Sequence, residues 1–190
     1  LGYVSPDFRA HSVAFFLEPL LEQHDRNGFE VFCYSDVLCP DLVTRRLQAL
    51  PLHWSDVRGL SAQALAAQVY SDEIDILVDL AGHTANNRMG VFARKPAAIQ
   101  VSYLGYPNTS GLSTIDYRLT DAWADPVGET ESLFSEALIR VEDEEQLFDL
   151  VLTTATQETG ATGVDTGSTS KPATGPPPDP EAAAPGPPGP

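Results

Sequence analysis

The chain has 190 residues and a formal net charge of −16, carried by 27 acidic and 11 basic residues. An acidic surface of this kind repels phosphate backbones, so the composition argues against nucleic-acid binding. The sequence contains no apolar run of about 18 residues, so no membrane span is predicted. Its length suits one domain with part of another.

The first residue is leucine and the only methionine is Met89, which indicates a fragment whose upstream part is missing. The two cysteines, Cys33 and Cys39, are too few for a disulfide framework and indicate a reduced, cytoplasmic or nucleocytoplasmic protein. The four histidines show no close ligand spacing with one another or with the cysteines, so no metal site is predicted.

Short apolar runs alternate with helical patterns along most of the chain. Strands are predicted at 1–4, 29–35, 52–57, 74–81, 98–105 and 116–121, several of them continuously apolar and therefore covered on both faces. Helices are predicted at 11–25, 40–50 and 61–73. Pro19 should kink or end the first helix, while Asp41 and Ser61 suit the starts of the other two.

This alternation predicts an α/β fold with a mostly parallel sheet and helices on both faces. The predicted buried strand residues are Val31, Phe32, Ile76, Leu77, Val78, Ile99, Val101 and Leu104. The composition changes near residue 150, and nine of the sixteen prolines fall between Pro172 and Pro190. We therefore expect one domain over 1–141 and, over 142–190, an acidic and then Pro/Gly/Thr-rich disordered tail. The tail could be a linker, a docking segment for a proline-binding module, an inert tail or a misread gene end.

Three polar, glycine-bearing or proline-bearing loops follow predicted strands, at 5–11, 82–88 and 105–111. In an open α/β sheet, ligands bind in loops at the carboxyl ends of the strands, so these loops form the candidate site. Arg88, Arg94 and Lys95 make the only basic cluster, which could face an anion or form a solvated helix face.

Two histidines stand out in these loops. His11 precedes a helix whose dipole favours the neutral ring, so it could act as a general base or simply cap the helix. His83 and Thr84 follow Gly82, and Asn86 adds amide donors and acceptors; these residues suit either a site or an ordinary helix cap. Tyr106 could be a site wall or a packing residue.

Three segments carry a family resemblance: GYVSPDFRAHSVAFF (2–16), DILVDLAGHTANNRMGVFARKPAAIQVSYLGYPNTSGL (75–112) and DYRLTDAWADP (116–126). They closely resemble the catalytic region of the protein O-linked N-acetylglucosamine transferase family, which includes plant Spindly-type proteins. The resemblance covers about residues 1–140, and the three motifs in the same order make it highly specific. HSVAFF, GHTANN and GYPNTSG look nearer to the Spindly-like and bacterial branch than to the animal enzymes.

The resemblance implies a GT-B fold of two facing Rossmann-like domains, of which this chain matches only the first. It implies sugar transfer from UDP-GlcNAc to Ser or Thr of acceptor proteins, with inversion and without a metal or other cofactor. It also implies upstream helical repeats that bind the acceptor protein. His11 would be a candidate catalytic base, and the cleft would include Asp7, His83, Thr84, Asn86, Tyr106, Pro107 and Asn108.

The family continues past the equivalent of Arg140 into a second domain that holds the main nucleotide contacts, whereas this chain continues as VEDEEQLFDLV and the proline-rich tail. We therefore expect this chain alone to be inactive or very weak. Two alternatives stay open for its function. One is a GDP-fucose-dependent protein O-fucosyltransferase of Spindly type, and the other is a non-catalytic protein-binding module.

Overall fold

The computed structural model describes residues 1–141, which are built around one seven-stranded sheet. The strands are β1 (Gly2–Ser5), β2 (Phe32–Ser35), β3 (His53–Asp56), β4 (Ile76–Asp79), β5 (Ile99–Ser102), β6 (Tyr117–Thr120) and β7 (Ala137–Arg140). Their order is β3-β2-β1-β4-β5-β6-β7, and every pairing is parallel. The predicted mostly parallel sheet is confirmed. The predicted disordered tail lies outside the described residues.

Four α-helices and a 3₁₀ turn connect the strands. The helices are α1 (Ser12–Gln23), α2 (Leu42–Gln48), α3 (Ala62–Ser71) and α4 (Met89–Phe92), and the 3₁₀ turn is Glu131–Leu133. Within residues 1–141 none of these helices has the length and apolarity needed to cross a membrane.

The helices cover both faces of the sheet, as the sequence predicts. On one face, Leu17 and Leu21 of α1 and Leu47 of α2 pack with strand residues in a first buried cluster. A second cluster contains Leu65 of α3 and Phe92 of α4. Successive residues of β1 enter different clusters, Tyr3 the first and Val4 the second, because side chains alternate between the faces of a strand.

Two predicted helix starts are confirmed by their caps. Asp41 accepts a hydrogen bond from the Thr44 amide at 3.0 Å, and the Thr44 hydroxyl accepts from the Asp41 amide at 3.1 Å, which completes a capping box. Ser61 accepts from the Ala64 amide at 3.1 Å. These side chains satisfy amides that have no partner within the helix.

Pro19 does not end the first helix, because α1 runs from Ser12 to Gln23 with Pro19 inside it. Proline removes the donor that would reach the carbonyl of Phe15. Phe15 is 78% exposed, so water can replace that donor. Leu17 and Leu21, fully buried on either side of Pro19, hold the helix on the sheet.

Six of the eight predicted core residues are buried, but Phe32 and Leu104 are only partly buried. Phe32 stacks on His53 of the edge strand β3, with ring centroids 4.3 Å apart, so its ring lies near the edge of the sheet. Leu104 follows the end of β5 with a φ of 61°, in a turn rather than in the strand. The sequence analysis also missed β7, a partly exposed edge strand.

Gly105 passes very close to the segment after β4. A Cβ on Gly105 would lie 1.9 Å from the Leu80 carbonyl oxygen, so we expect Gly105→Ala to lower the free energy of unfolding by about 1–3 kcal/mol or more. Urea unfolding measures this loss. Gly28→Ala is the control, because its nearest contact would be 3.4 Å from the Asp25 carboxylate. Equal losses in the two variants would contradict the close approach.

Candidate functional site

The candidate site lies where the direction of strand addition reverses. The chain adds β2 and β3 on one side of β1 and then places β4 on the other side. The helices that follow β1 and β4 pack on opposite faces, since α1 contributes to the first buried cluster and α4 to the second. The loops after β1 and β4 therefore diverge, which opens the crevice where doubly wound folds bind ligands.

Arg88 anchors the loop after β4. Its guanidinium donates to both Asp36 carboxylate oxygens at 2.8 Å, and to the carbonyls of Leu60 at 2.7 Å and Val57 at 3.1 Å. The Arg88 and Asp36 side chains are only 15% and 11% exposed. One side chain thus joins the segments that follow β2, β3 and β4.

Arg88, Arg94 and Lys95 therefore do not act together as a free basic cluster that could face an anion. Arg88 is bonded to Asp36. Lys95 pairs with Asp116 and donates to the Thr114 carbonyl at 3.1 Å, and Arg94, just after α4, donates to the Gly90 carbonyl at 2.5 Å. These cations hold loops and helix ends in place. Sequence spacing could not reveal their partners, since Asp36 is 52 positions from Arg88.

Asp79, at the end of β4, fixes the start of the loop that follows this strand. The buried carboxylate accepts the Gly82 amide at 2.8 Å and the Ala81 amide at 3.2 Å. Burial raises the pKa of Asp79 to about 6, and the two amides offset only part of that effect. Gly82 has a φ of +54°, and a Cβ there would lie 2.2 Å from Tyr106 Cβ, so glycine allows the loops after β4 and β5 to meet.

His83 connects these two loops. Its Nε2 lies 2.8 Å from the Ser110 carbonyl oxygen, and its ring meets the edge of Tyr106 at a centroid distance of 5.3 Å and an interplanar angle of 81°. A carbonyl oxygen can only accept, so Nε2 of His83 carries the proton. The side chain is otherwise exposed.

Thr84 and Asn86 take different positions in this loop. The Thr84 hydroxyl donates to the Ala81 carbonyl at 2.7 Å, which is the local backbone bonding that an ordinary turn would use. Asn86 is exposed and has a φ of 61°, a conformation that asparagine tolerates better than most residues. Asn86 lines an open depression together with Pro6 and Arg9 from the loop after β1.

The loop after β1 brings Asp7 and His11 together. His11 is the N-cap of α1, and its Nδ1 accepts the Val13 amide at 3.3 Å. The same nitrogen lies 3.9 Å from a carboxylate oxygen of Asp7, whose other oxygen accepts from Arg9 at 2.9 Å. His11 therefore performs the capping role that the sequence analysis left open, and its Nε2 is the ring nitrogen not used by the cap.

Tyr106, Pro107 and Asn108 lie in the loop after β5. The Tyr106 carbonyl accepts from Arg118 at 2.8 Å, and the Tyr106 ring touches His83. Pro107 and Asn108 are exposed, and Asn108 accepts the Thr109 amide at 2.8 Å. Tyr106 is thus joined to the loop after β4, whereas no hydrogen bond in the described part of the chain joins Pro107 or Asn108 to it.

Sequence reasoning missed two contributors to this edge of the sheet. The loop after β2 lines the open depression through Asp36, Cys39 and Asp41; its polar DVLCPD run after a strand was the available signal. Glu136 accepts the Ser110 amide at 2.7 Å and the Thr109 hydroxyl at 2.8 Å. Burial works to raise the pKa of Glu136, but these donors outweigh it, so the pKa is lowered. No local signal points to Glu136.

No group of three His, Cys, Asp or Glu side chains that could hold a metal ion occurs between residues 1 and 141. Cys33 is buried and Cys39 exposed, and both are free thiols. Burial raises the pKa of the Cys33 thiol, which keeps it protonated.

Comparison with known proteins gives consistent results. The profile of glycosyl transferase family 41 matches residues 1–160. A probable UDP-N-acetylglucosamine–peptide N-acetylglucosaminyltransferase SPINDLY from Arabidopsis thaliana is 46% identical over 147 residues, 75% of this chain and 16% of that protein. The Caenorhabditis elegans UDP-N-acetylglucosamine–peptide N-acetylglucosaminyltransferase is 37% identical over 129 residues, 67% of this chain and 11% of that protein.

Among solved structures, the K341M mutant of the Thermobaculum terrenum O-GlcNAc transferase superposes with a TM-score of 0.72 at 44% sequence identity. The match covers 74% of this chain and 27% of that one. The predicted resemblance and the predicted fold are therefore confirmed. The chain spans less than one fifth of the length of either curated relative.

Replacing Arg88 by Met should lower the free energy of unfolding by about 3–5 kcal/mol, because Asp36 would stay buried without its partner. Urea unfolding measures the change. Arg58→Met is the matched control: Arg58 and Asp56 are 43% and 50% exposed, and such pairs contribute about 0–1 kcal/mol. Adding Asp36→Leu to Arg88→Met should recover part of the loss. Equal losses in the two single variants would contradict the clamp.

The raised pKa of Asp79 predicts a pH dependence of stability. The folded chain binds this proton more tightly than the unfolded chain, so the stability it contributes is present below pH 3.8 and is lost as the pH rises through about 6. Asp79→Asn cannot ionise and should show a smaller fall in stability across that interval. The check is the free energy of unfolding against pH, and parallel curves for the two proteins would contradict the assignment.

Proposed function

Because the chain belongs to glycosyl transferase family 41, we propose that it forms part of an enzyme that transfers N-acetylglucosamine from UDP-GlcNAc to Ser or Thr hydroxyls of proteins. The observation that carries the proposal is that the loops after β1, β4 and β5 lie at one edge of the sheet, beside the strand-order reversal. Such an edge is where doubly wound folds bind and transform ligands.

The side chains at this edge suit a neutral hydroxyl acceptor. A hydroxyl becomes a good nucleophile when a nearby base takes its proton, and imidazole has the most suitable basicity near neutral pH. His11 and His83 supply two imidazoles in the loops after β1 and β4. We assign both to the active site, with the cleft formed by Asp7, Thr84, Asn86, Tyr106, Pro107 and Asn108.

We propose that the diphosphate of the donor is held by residues outside 1–141. Diphosphates need cationic side chains or clusters of backbone donors. Nine of the ten lysines and arginines in the described range already bond to carboxylates or carbonyls; the tenth, Arg45, lies on α2. Residues 1–141 would thus bind the acceptor hydroxyl, and alone they would show little or no sugar transfer.

Further features of the proposal come from the family resemblance. They are inversion at the anomeric carbon, independence of a metal, acceptor proteins bound by helical repeats elsewhere in the protein, and a cytoplasmic or nucleocytoplasmic location. A GDP-fucose donor is the alternative within the same reaction class, since Spindly-type proteins use it. The residues that would recognise the base of either nucleotide belong to the second domain implied by the family.

The test is a transfer assay with a full-length family member that contains this segment. We expect transfer of N-acetylglucosamine from UDP-GlcNAc to a protein acceptor, unchanged by EDTA, and no measurable transfer by residues 1–141 alone. Mass spectrometry of the acceptor identifies the sugar. Transfer of fucose from GDP-fucose would replace the proposed donor, and transfer from neither donor, with intact binding of acceptor protein, would favour a non-catalytic binding module.

A further inference from the structure

The two histidines of the site use different ring nitrogens to hold themselves in place. His11 accepts the Val13 amide proton through Nδ1 at 3.3 Å. A neutral imidazole has one acceptor nitrogen and one N–H, so this cap places the proton of neutral His11 on Nε2. The atom that His11 can offer to a ligand is therefore a hydrogen-bond donor.

His83 has the opposite arrangement. Its Nε2 lies 2.8 Å from the Ser110 carbonyl, so the N–H is used by the fold and the lone pair of the neutral ring is on Nδ1. No residue between 1 and 141 hydrogen-bonds that Nδ1 in the structure. Tyr106 meets the His83 ring edge to face, which further fixes its orientation. His83 therefore offers a ligand an acceptor on a preoriented ring.

We propose that His83, through Nδ1, is the group that accepts the proton of the acceptor hydroxyl, while His11 donates a hydrogen bond from Nε2–H. The proposal rests on the proposed function and assigns the roles within its site. As the acceptor oxygen bonds to the anomeric carbon, its proton moves to Nδ1 of His83. The bond between the anomeric carbon and the diphosphate oxygen breaks with its electron pair, and the nucleoside diphosphate leaves. The imidazolium later returns its proton to solvent.

The surroundings of His83 suit a ring that becomes positively charged. Asp79 lies beneath the loop and interacts electrostatically with His83, and Glu136 binds the amide of Ser110, whose carbonyl holds Nε2. Asp79 at the end of β4 is thus the carboxyl group that interacts with the histidine, and Glu136 is linked to it only through Ser110. Arg118, which is bonded to the Tyr106 carbonyl, faces Asp125 at 3.6 Å. Ionised Asp79 would stabilise the imidazolium.

Two substitutions separate the roles while allowing the structural hydrogen bond of each histidine to be kept. In His83→Gln, the amide nitrogen can replace Nε2–H as donor to the Ser110 carbonyl, but no basic nitrogen remains. In His11→Asn, the amide oxygen can cap Val13 at least as well as the imidazole, but Nε2–H is lost. Each variant therefore can keep the hydrogen bond to the fold while losing the nitrogen proposed to meet a ligand; His83→Gln also loses the ring contact with Tyr106.

The kinetic test measures kcat/KM against pH for both variants in a full-length family member that contains this segment. We expect His83→Gln to lower kcat/KM by about 100-fold or more and to abolish the loss of activity on the acid side. His11→Asn should keep that acid-side loss at a reduced rate. The opposite pattern, with the acid-side loss kept in His83→Gln and removed in His11→Asn, would overturn the proposal.

A second measurement decides the nitrogen assignment without any enzymatic activity. Long-range proton–nitrogen NMR spectra of this chain distinguish the two neutral tautomers of each histidine, with the single-histidine variants giving the assignments. We expect the proton on Nε2 of both His11 and His83. A proton on Nδ1 of His83 would overturn the proposal. Absence of transfer by the wild-type full-length protein would instead count against the proposed function, and the NMR result would stand independently.

Discussion

The guanidinium of Arg88 binds both oxygens of Asp36 and two carbonyls of the connection after β3, and the rest of the site is arranged around this clamp. Three segments that leave the sheet at neighbouring strands are tied at one point. The buried Asp36 carboxylate is stable only beside Arg88. Separating the segments would leave this charge unpaired in an apolar environment. The loop that carries His83 therefore ends at a fixed point.

A second layer of support comes from the backbone. Asp79 accepts the amides of Ala81 and Gly82, and Gly82 and Gly105 allow the loops after β4 and β5 to approach more closely than side chains would permit. Glu136 fixes Ser110 from the far side, and Ser110 fixes His83. Most polar groups of the loops after β1, β4 and β5 take part in such internal hydrogen bonds. The groups left for a ligand are few, and their donor or acceptor character is determined by the bonds that hold them.

Most charged groups of residues 1–141 are also used in internal bonds, and for this reason we propose that this part of the protein binds the acceptor but not the donor. Its cations stabilise loops, helix ends and edge strands, as Arg140 does by bonding Glu131 at 2.7 Å. A strongly anionic diphosphate would have to break these pairs to gain a counter-charge here. A neutral hydroxyl needs only a fixed acceptor and a fixed donor, which His83 and His11 can supply. The acceptor is therefore proposed to bind to residues 1–141 and the donor elsewhere, because nearly all basic side chains of residues 1–141 already have partners.

The sequence by itself determined the class of fold, six of the seven strands, the caps of α2 and α3 and the loops that form the site, because apolar runs, cap residues and turn residues act over a few positions. It also carried the family resemblance, through motifs that are contiguous in the chain. Only the tertiary structure decided that Pro19 is accommodated within α1, that β7 completes the sheet, and that Phe32 and Leu104 lie near its rim. It likewise decided the partners of Arg88 and Glu136 and the nitrogen that each histidine leaves for a ligand. The partners of Arg88, Glu136 and His83 lie 26 to 52 positions away in the chain, and no local pattern encodes such distances.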